Sequence, residues 1–212
     1  MKDRLATGAR SIAERLGLGW PDSIPTVAFF AFVAVAAPVI LFGLGSYHWF
    51  LRDDFMFLTG REGQWPDLVE PHGGSHWVAI PKLIYLAVWQ VFGMRSYLPY
   101  QAVVVALHLS VAVMLWVVMR RSGVGTWLAG AAGSLFVLFG PGSQNIVWAF
   151  QVSFTGSLAY GLAFLLLTDH DGAFDRRDAL GLAFGAAALM SSGVGGTMVG
   201  VVALSVLLRR CW

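Results

Sequence analysis

The stretch IPTVAFFAFVAVAAPVILFGL, residues 24–44, decides the class of fold. It holds no Asp, Glu, Lys, Arg or His. A helix of this length, rising about 1.5 Å per residue, covers the roughly 30 Å hydrocarbon core of a bilayer. The rest of the chain is in keeping with it: 57% of residues are hydrophobic and 12% charged, where soluble proteins carry about 25% charge. Mean hydropathy is +0.68, and further apolar runs follow. The chain is therefore expected to be all-α, a polytopic transmembrane helical bundle with a long outer loop between its first two spans. The net charge of +2 is small and its basic residues are scattered, which argues against a nucleic-acid partner. The single cysteine, Cys211, excludes an internal disulfide and a cysteine-based metal site.

Upstream of the opening run, residues 1–22 carry Lys2, Arg4, Arg10 and Arg15, with Leu5, Ile12 and Leu16 at loosely helical spacing. This reads either as an amphipathic helix on the cytoplasmic surface or as a basic tail. In both cases the charge keeps the N-terminus inside. Residues 23–212 then form a single transmembrane domain. Spans are expected at about 24–44, 97–119, 124–139 and 146–167, with a broken helix or hairpin at 179–208 and an outer loop at 46–96. Pro38 should kink the first span. Residues 77–92 are apolar but interrupted by Pro81, Lys82 and Gln90, so an amphipathic helix along the outer interface is expected there; the alternative, a second spanning helix, would put Arg120-Arg121 outside, against the charge rule. Arg120-Arg121 and Arg176-Arg177 mark inner ends. Gly125, Gly130 and Gly133 offer a small-residue face for close helix packing. The run Ser191-Ser192-Gly193-Val194-Gly195-Gly196 breaks the last apolar stretch; a turn there would return Arg209-Arg210 to the inner side, whereas a single tilted helix would leave them outside.

The candidate chemistry lies just beyond the first span, in Trp49-Phe50-Leu51-Arg52-Asp53-Asp54-Phe55. A carboxylate at the centre of a membrane helix costs roughly 2.5–3.5 kcal/mol on insertion scales, and less toward the interface. A pair at this exit point can reach both lipid-borne and water-borne groups. Asp53 and Asp54 are therefore the candidate catalytic residues, although capping of a loop helix would also use them. Arg52, Arg61, His72, His76, Lys82, Ser191 and Ser192 are candidates for binding a lipid phosphate or an acceptor, through positive charge or N–H and O–H donors. His72 and His76 are four residues apart, a ligand spacing only on a helix. Pro71 and Gly73-Gly74 oppose a helix there, so no metal site is assigned. His108, alone within a span, reads as a packing or helix-to-helix hydrogen-bonding residue.

The order of these features resembles the N-terminal part of the GT-C superfamily of membrane glycosyltransferases. The likeness rests on Asp53-Asp54 opening a large loop, Gly74-Ser75-His76-Trp77 with Pro81, Phe92-Gly93 to Tyr100, Leu107-His108 in the second span, Trp148, and the Ser191-Ser192-Gly193 break. It implies transfer of a sugar from a polyprenyl-phosphate carrier to a glycan, lipid or protein acceptor at the outer face of a plasma membrane, in a bacterial cell envelope. On that likeness one carboxylate, Asp53 by preference, is the general base. The other orients the acceptor or helps to hold a divalent cation, and no other cofactor is implied. Members of the family continue with further membrane helices beyond the point corresponding to Trp212, so a truncated or partial enzyme is expected. The alternatives are a non-catalytic membrane scaffold or subunit docking through glycine faces, or a transporter component. The latter predicts charges in mid-span that the apolar runs lack.

Overall fold

The computed structural model describes residues 23–58, 68–71 and 76–211. Among the described residues the fold is all-helical, with 81% helix and no strands. The expected segment 1–22 lies outside the described residues. The first helix, α1 (Ser23–Pro38), passes directly into a π-turn at Val39–Leu44 and a 3-10 turn at Gly45–Tyr47. Pro38 thus marks a change of helical pitch. Removing one backbone hydrogen bond in mid-helix is relieved by widening the next turn. After it come α2 (Asp53–Leu58), α3 (Ala79–Phe92), α4 (Leu98–Arg121) and α5 (Thr126–Val137). A short α6 (Ser143–Val147), α7 (Val152–Thr168), α8 (Arg176–Leu189) and α9 (Val194–Cys211) complete the order.

Among the described residues three helical stretches are long and apolar enough to cross a membrane: Ile24–Tyr47, Leu98–Arg121 and Ala149–Thr168. They correspond to the runs expected at 24–44, 97–119 and 146–167. The last starts later than its apolar run because residues 140–148 do not extend it: a 3-10 turn, α6 and an extended Trp148 intervene. The run at 124–139 gives α5, whose 12 residues reach only about 18 Å. The apolar stretch 179–208 is two helices, α8 and α9, separated at residues 190–193.

Packing orders these helices between two ends. On α1, Phe29 stacks on Trp116 of α4, Ala36 and Ile40 pack with Val105 and Leu109, and Gly45 abuts Gln101. The two helices are therefore antiparallel. Phe29 also fills the small-residue face of α5, where a Cβ on Gly133 would lie 2.7 Å from its ring. On the other side of α4, α8 runs antiparallel to α7, with Gly181 against Thr168, Gly185 against Phe164, and Ser157 Oγ donating to the Ala188 carbonyl. Helix α9 turns back alongside α7, where Gly161 meets Met198. One end of the bundle gathers Arg120-Arg121, Asp169 and the start of α8. There Asp175 and Asp178 form a reciprocal capping box, satisfying backbone N–H groups that helix formation leaves open. The opposite end gathers Tyr47, α2, the start of α4 and the start of α7.

The α8–α9 hairpin depends on a glycine. A Cβ on Gly195 would overlap the backbone carbonyl of Ala188, and backbone cannot move aside as a flexible side chain can. Gly195→Ala is expected to destabilise the protein by about 1–3 kcal/mol, the usual penalty of overpacking. Gly196→Ala, with nothing within 4 Å of its Cβ, should change stability little. Thermal unfolding of the two variants in the same detergent compares them directly.

Candidate functional site

At the end of the bundle away from Arg120-Arg121, the chain leaves the first helix and turns sharply at Leu51-Arg52. Arg52 has φ +47°, the left-handed region that a non-glycine residue occupies at a cost of about 1–3 kcal/mol. The turn delivers Asp53 and Asp54 into the first turn of α2. Asp54 Oδ2 accepts a hydrogen bond from the backbone N–H of Leu51 (2.8 Å), which closes the turn on itself.

Asp54 has 0% of its surface exposed. Its Oδ1 accepts a hydrogen bond from the Tyr85 hydroxyl of α3. Its Oδ2 accepts from the Tyr97 hydroxyl (3.0 Å) just before α4, and from Trp148 Nε1 (3.0 Å) before α7. The Tyr97 oxygen in turn accepts from the backbone N–H of Ala149 (2.8 Å). Around these donors lie Phe50, Phe57, Tyr100 and Phe150. The Phe50 ring sits 4.9 Å from that of Tyr97, and Phe57 5.2 Å from that of Tyr85. Burial pushes both phenols well above their ordinary acidity range, and the neighbouring Asp54 charge adds to the effect. They stay protonated and act as donors. A buried ionised carboxylate without partners costs several kcal/mol, whereas each hydrogen bond to a charged group returns about 1.5–3 kcal/mol. The four donors stand in for lost water.

The other candidates fall into separate places. Asp53 is half-buried and Arg52 exposed, both beside this cluster in sequence. Lys82 is buried on α3, one turn before Tyr85. His76 is half-buried. Its ring is 6.2 Å from Phe154, a Cβ on Gly193 would lie 3.4 Å from its Nδ1, and that nitrogen has no hydrogen-bond partner among the described residues. Next to it the backbone N–H of Ile80 donates to the Met190 carbonyl (3.1 Å), joining α3 to the hairpin turn. Arg61 and His72 lie outside the described residues.

Ser191 and Ser192 are buried and serve the hairpin itself. Ser191 Oγ donates to the Ala187 carbonyl, and Ser192 Oγ accepts from the Val194 N–H. The next two N–H groups, Gly195 and Gly196, are also bonded within the turn. As placed, this break presents paired rather than open donors to a phosphate. The residues that the sequence did not single out are Tyr85 and Tyr97. The weak signal for Tyr85 was its spacing of three from Lys82, which puts both on one face of α3.

No family model matches the chain, and neither a curated protein nor a solved structure does.

Two outcomes follow from the Asp54 cluster. Tyr85→Phe leaves Oδ1 of a buried charge without its donor, and should lower unfolding free energy by about 1.5–3 kcal/mol. Both phenols hold their protons more tightly folded than unfolded. Their contribution is thus fully present below the ordinary phenol value of about 10 and is lost as the pH rises beyond it. Unfolding temperature should fall above pH ~10, and less steeply in the double variant Tyr85→Phe/Tyr97→Phe, as thermal scans across pH would record.

Proposed function

We propose that the chain is a membrane glycosyltransferase of the GT-C kind, moving a sugar from a polyprenyl-phosphate carrier to an acceptor at the outer face. The observation that carries this reading is the division of labour in the acidic pair. Asp54 is held on both oxygens by donors, while its neighbour Asp53 stays half-exposed on the same short helix. A fixed carboxylate beside a reachable one, where a span-length helix ends, suits general-base attack on a lipid-borne substrate.

In this mechanism the acceptor hydroxyl gives its proton to Asp53 as its oxygen forms a bond to the anomeric carbon. The bond from that carbon to the carrier phosphate breaks, and its electron pair stays on the phosphate oxygen. Arg52, adjacent to the base, offers positive charge to the leaving phosphate. Asp54 positions α2 and does not itself take the proton, because its oxygens already accept from four groups. That same donor set suits a cation poorly, since N–H and O–H groups point at the oxygens a metal would need. The mechanism therefore routes no step through a divalent ion.

The proposed topology puts Arg120-Arg121 and Arg176-Arg177 on the cytoplasmic side of a plasma membrane and Asp53-Asp54 outside, as the charge asymmetry favours. The N-terminus is then inside, α3 lies along the outer interface, and the α8–α9 hairpin brings Arg209-Arg210 back inward. A scaffold docking through glycine faces is less well supported, because Gly130 and Gly133 are filled by Phe29 of the same chain. A transporter is also less well supported. The mid-span His108 is bonded through Nε2 to the Val137 carbonyl, as a packing residue would be.

Sugar transfer in membranes expressing the chain, supplied with radiolabelled polyprenyl-phosphate sugars, tests the reading. Asp53→Asn should reduce transfer by at least about 100-fold at an unchanged level of folded protein. Asp54→Asn should lower the amount of folded protein in step with activity. Full transfer by Asp53→Asn, or none by the unmodified folded chain, would contradict the proposal.

A further inference from the structure

Helix α3 is held across one end of the bundle. Its 14 residues reach about 21 Å, short of the roughly 30 Å hydrocarbon core of a bilayer. Three ties fix its level. The Ile80 N–H donates to the Met190 carbonyl in the α8–α9 turn (3.1 Å), and the Tyr85 hydroxyl donates to Asp54. At its other end the Tyr100 hydroxyl, in the first turn of α4, donates to the Gly93 carbonyl (3.1 Å). The helix thus lies beside the place where the span-length stretch Leu98–Arg121 begins.

The inward side of α3 carries Lys82 and Tyr85, both buried, with Ile84 and Val88 packed on the aromatic residues around Asp54. Leu83, Ala87, Trp89, Gln90, Val91 and Phe92 are exposed, Val91 at 74%. Leu83, Ala87 and Val91 recur every four residues and share one side of the helix. Lys82 is the helix's only Lys, Arg, Asp or Glu, and it is buried, so the exposed side has no charge. A helix that faces water carries charged and polar residues there. A helix that lies in a bilayer interface instead sinks an apolar side about 5–10 Å into the boundary of head groups and acyl chains. The Gly93 tie keeps this side adjoining the layer that Leu98–Arg121 is apolar enough to cross. With no exposed cation on α3, the attraction of anionic head groups for basic residues has nothing here to act on.

We propose that α3 takes the interface of the lipid bilayer as its partner, by apolar insertion indifferent to head-group charge, and that this seating holds Tyr85 on Asp54. The coupling follows from the geometry of one short helix. Leu83 and Tyr85, two residues apart, point to opposite sides, so lifting the apolar side out of the interface draws the hydroxyl away from the carboxylate. The inference shares with the proposed topology the level of α3. It is independent of sugar transfer, which its test does not measure, and of which side of the membrane this end faces.

Spin labels on Leu83→Cys, Ala87→Cys and Val91→Cys, each made in the Cys211→Ser chain, test the partner in liposomes. Oxygen concentrates in the bilayer and a nickel chelate in water, so each label should collide several-fold more with oxygen than with the chelate. The preference should be equal in phosphatidylcholine alone and in phosphatidylcholine mixed with phosphatidylglycerol. Three positions keep the result readable if one variant does not fold. A preference for the chelate would put this side in water, and protection from both reagents would put a protein partner or a second copy on it. Either result, or insertion only with phosphatidylglycerol, would overturn the proposal. For the coupling, Ala87→Lys in phosphatidylcholine liposomes should lower the unfolding temperature by about 2–4 °C, and by much less in the Tyr85→Phe chain. Val91→Lys gives the same comparison should Ala87→Lys not fold. An equal drop in both chains would show that the seating does not bear on Asp54, and would overturn the coupling.

Discussion

A carboxylate with no exposed surface must find in the protein what water would otherwise supply, and Asp54 does so by drawing donors from four stretches of chain. Leu51 closes the turn before α2, Tyr85 comes from α3, Tyr97 from the entry to α4, and Trp148 from the entry to α7. These groups lie up to 94 residues from Asp54 in sequence. Each loses a hydrogen-bond partner if its segment drifts. In a bundle held largely by non-directional apolar contacts, this is the directional network that fixes how one end is assembled.

The consequences spread outward from that cluster. Tyr97 accepts from the Ala149 N–H while donating to Asp54, so the starts of α4 and α7 are tied to one another as well as to the acid. Trp148 is extended rather than helical, which ends α6 and delays the third span-length helix. The strained Arg52 is another result: the turn must be tight for Leu51 to reach back to Asp54. That strain sets Asp53 at the rim of the cluster, where it keeps contact with solvent.

Much of this was legible from residue order alone. The three span-length helices follow their apolar runs, and the Ser191-Ser192-Gly193 run falls where α8 and α9 separate. That two adjacent carboxylates, Asp53 and Asp54, stand just beyond the first apolar run was also visible. The separation of their roles was not. Adjacent residues on a helix point about 100° apart, and which of them faces the core depends on partners 31, 43 and 94 residues away. The shortness of α5 was likewise hidden, since hydropathy alone does not reveal that Leu138 and Phe139 leave the helix. Ser191 and Ser192 looked free for a ligand because the backbone groups they satisfy appear only once the turn is formed.

If Asp54 organises this end of the bundle, it is energetically coupled to the aromatic donors brought to it. A double-mutant cycle on unfolding free energy, built from Asp54→Asn, Trp148→Phe and the pair together, measures that coupling without reference to any substrate. The predicted value is about 1–3 kcal/mol, in the range for residues that share one hydrogen-bond network. Additive effects, with coupling below about 0.5 kcal/mol, would mean that Asp54 does not hold this end of the bundle together, and would contradict the account.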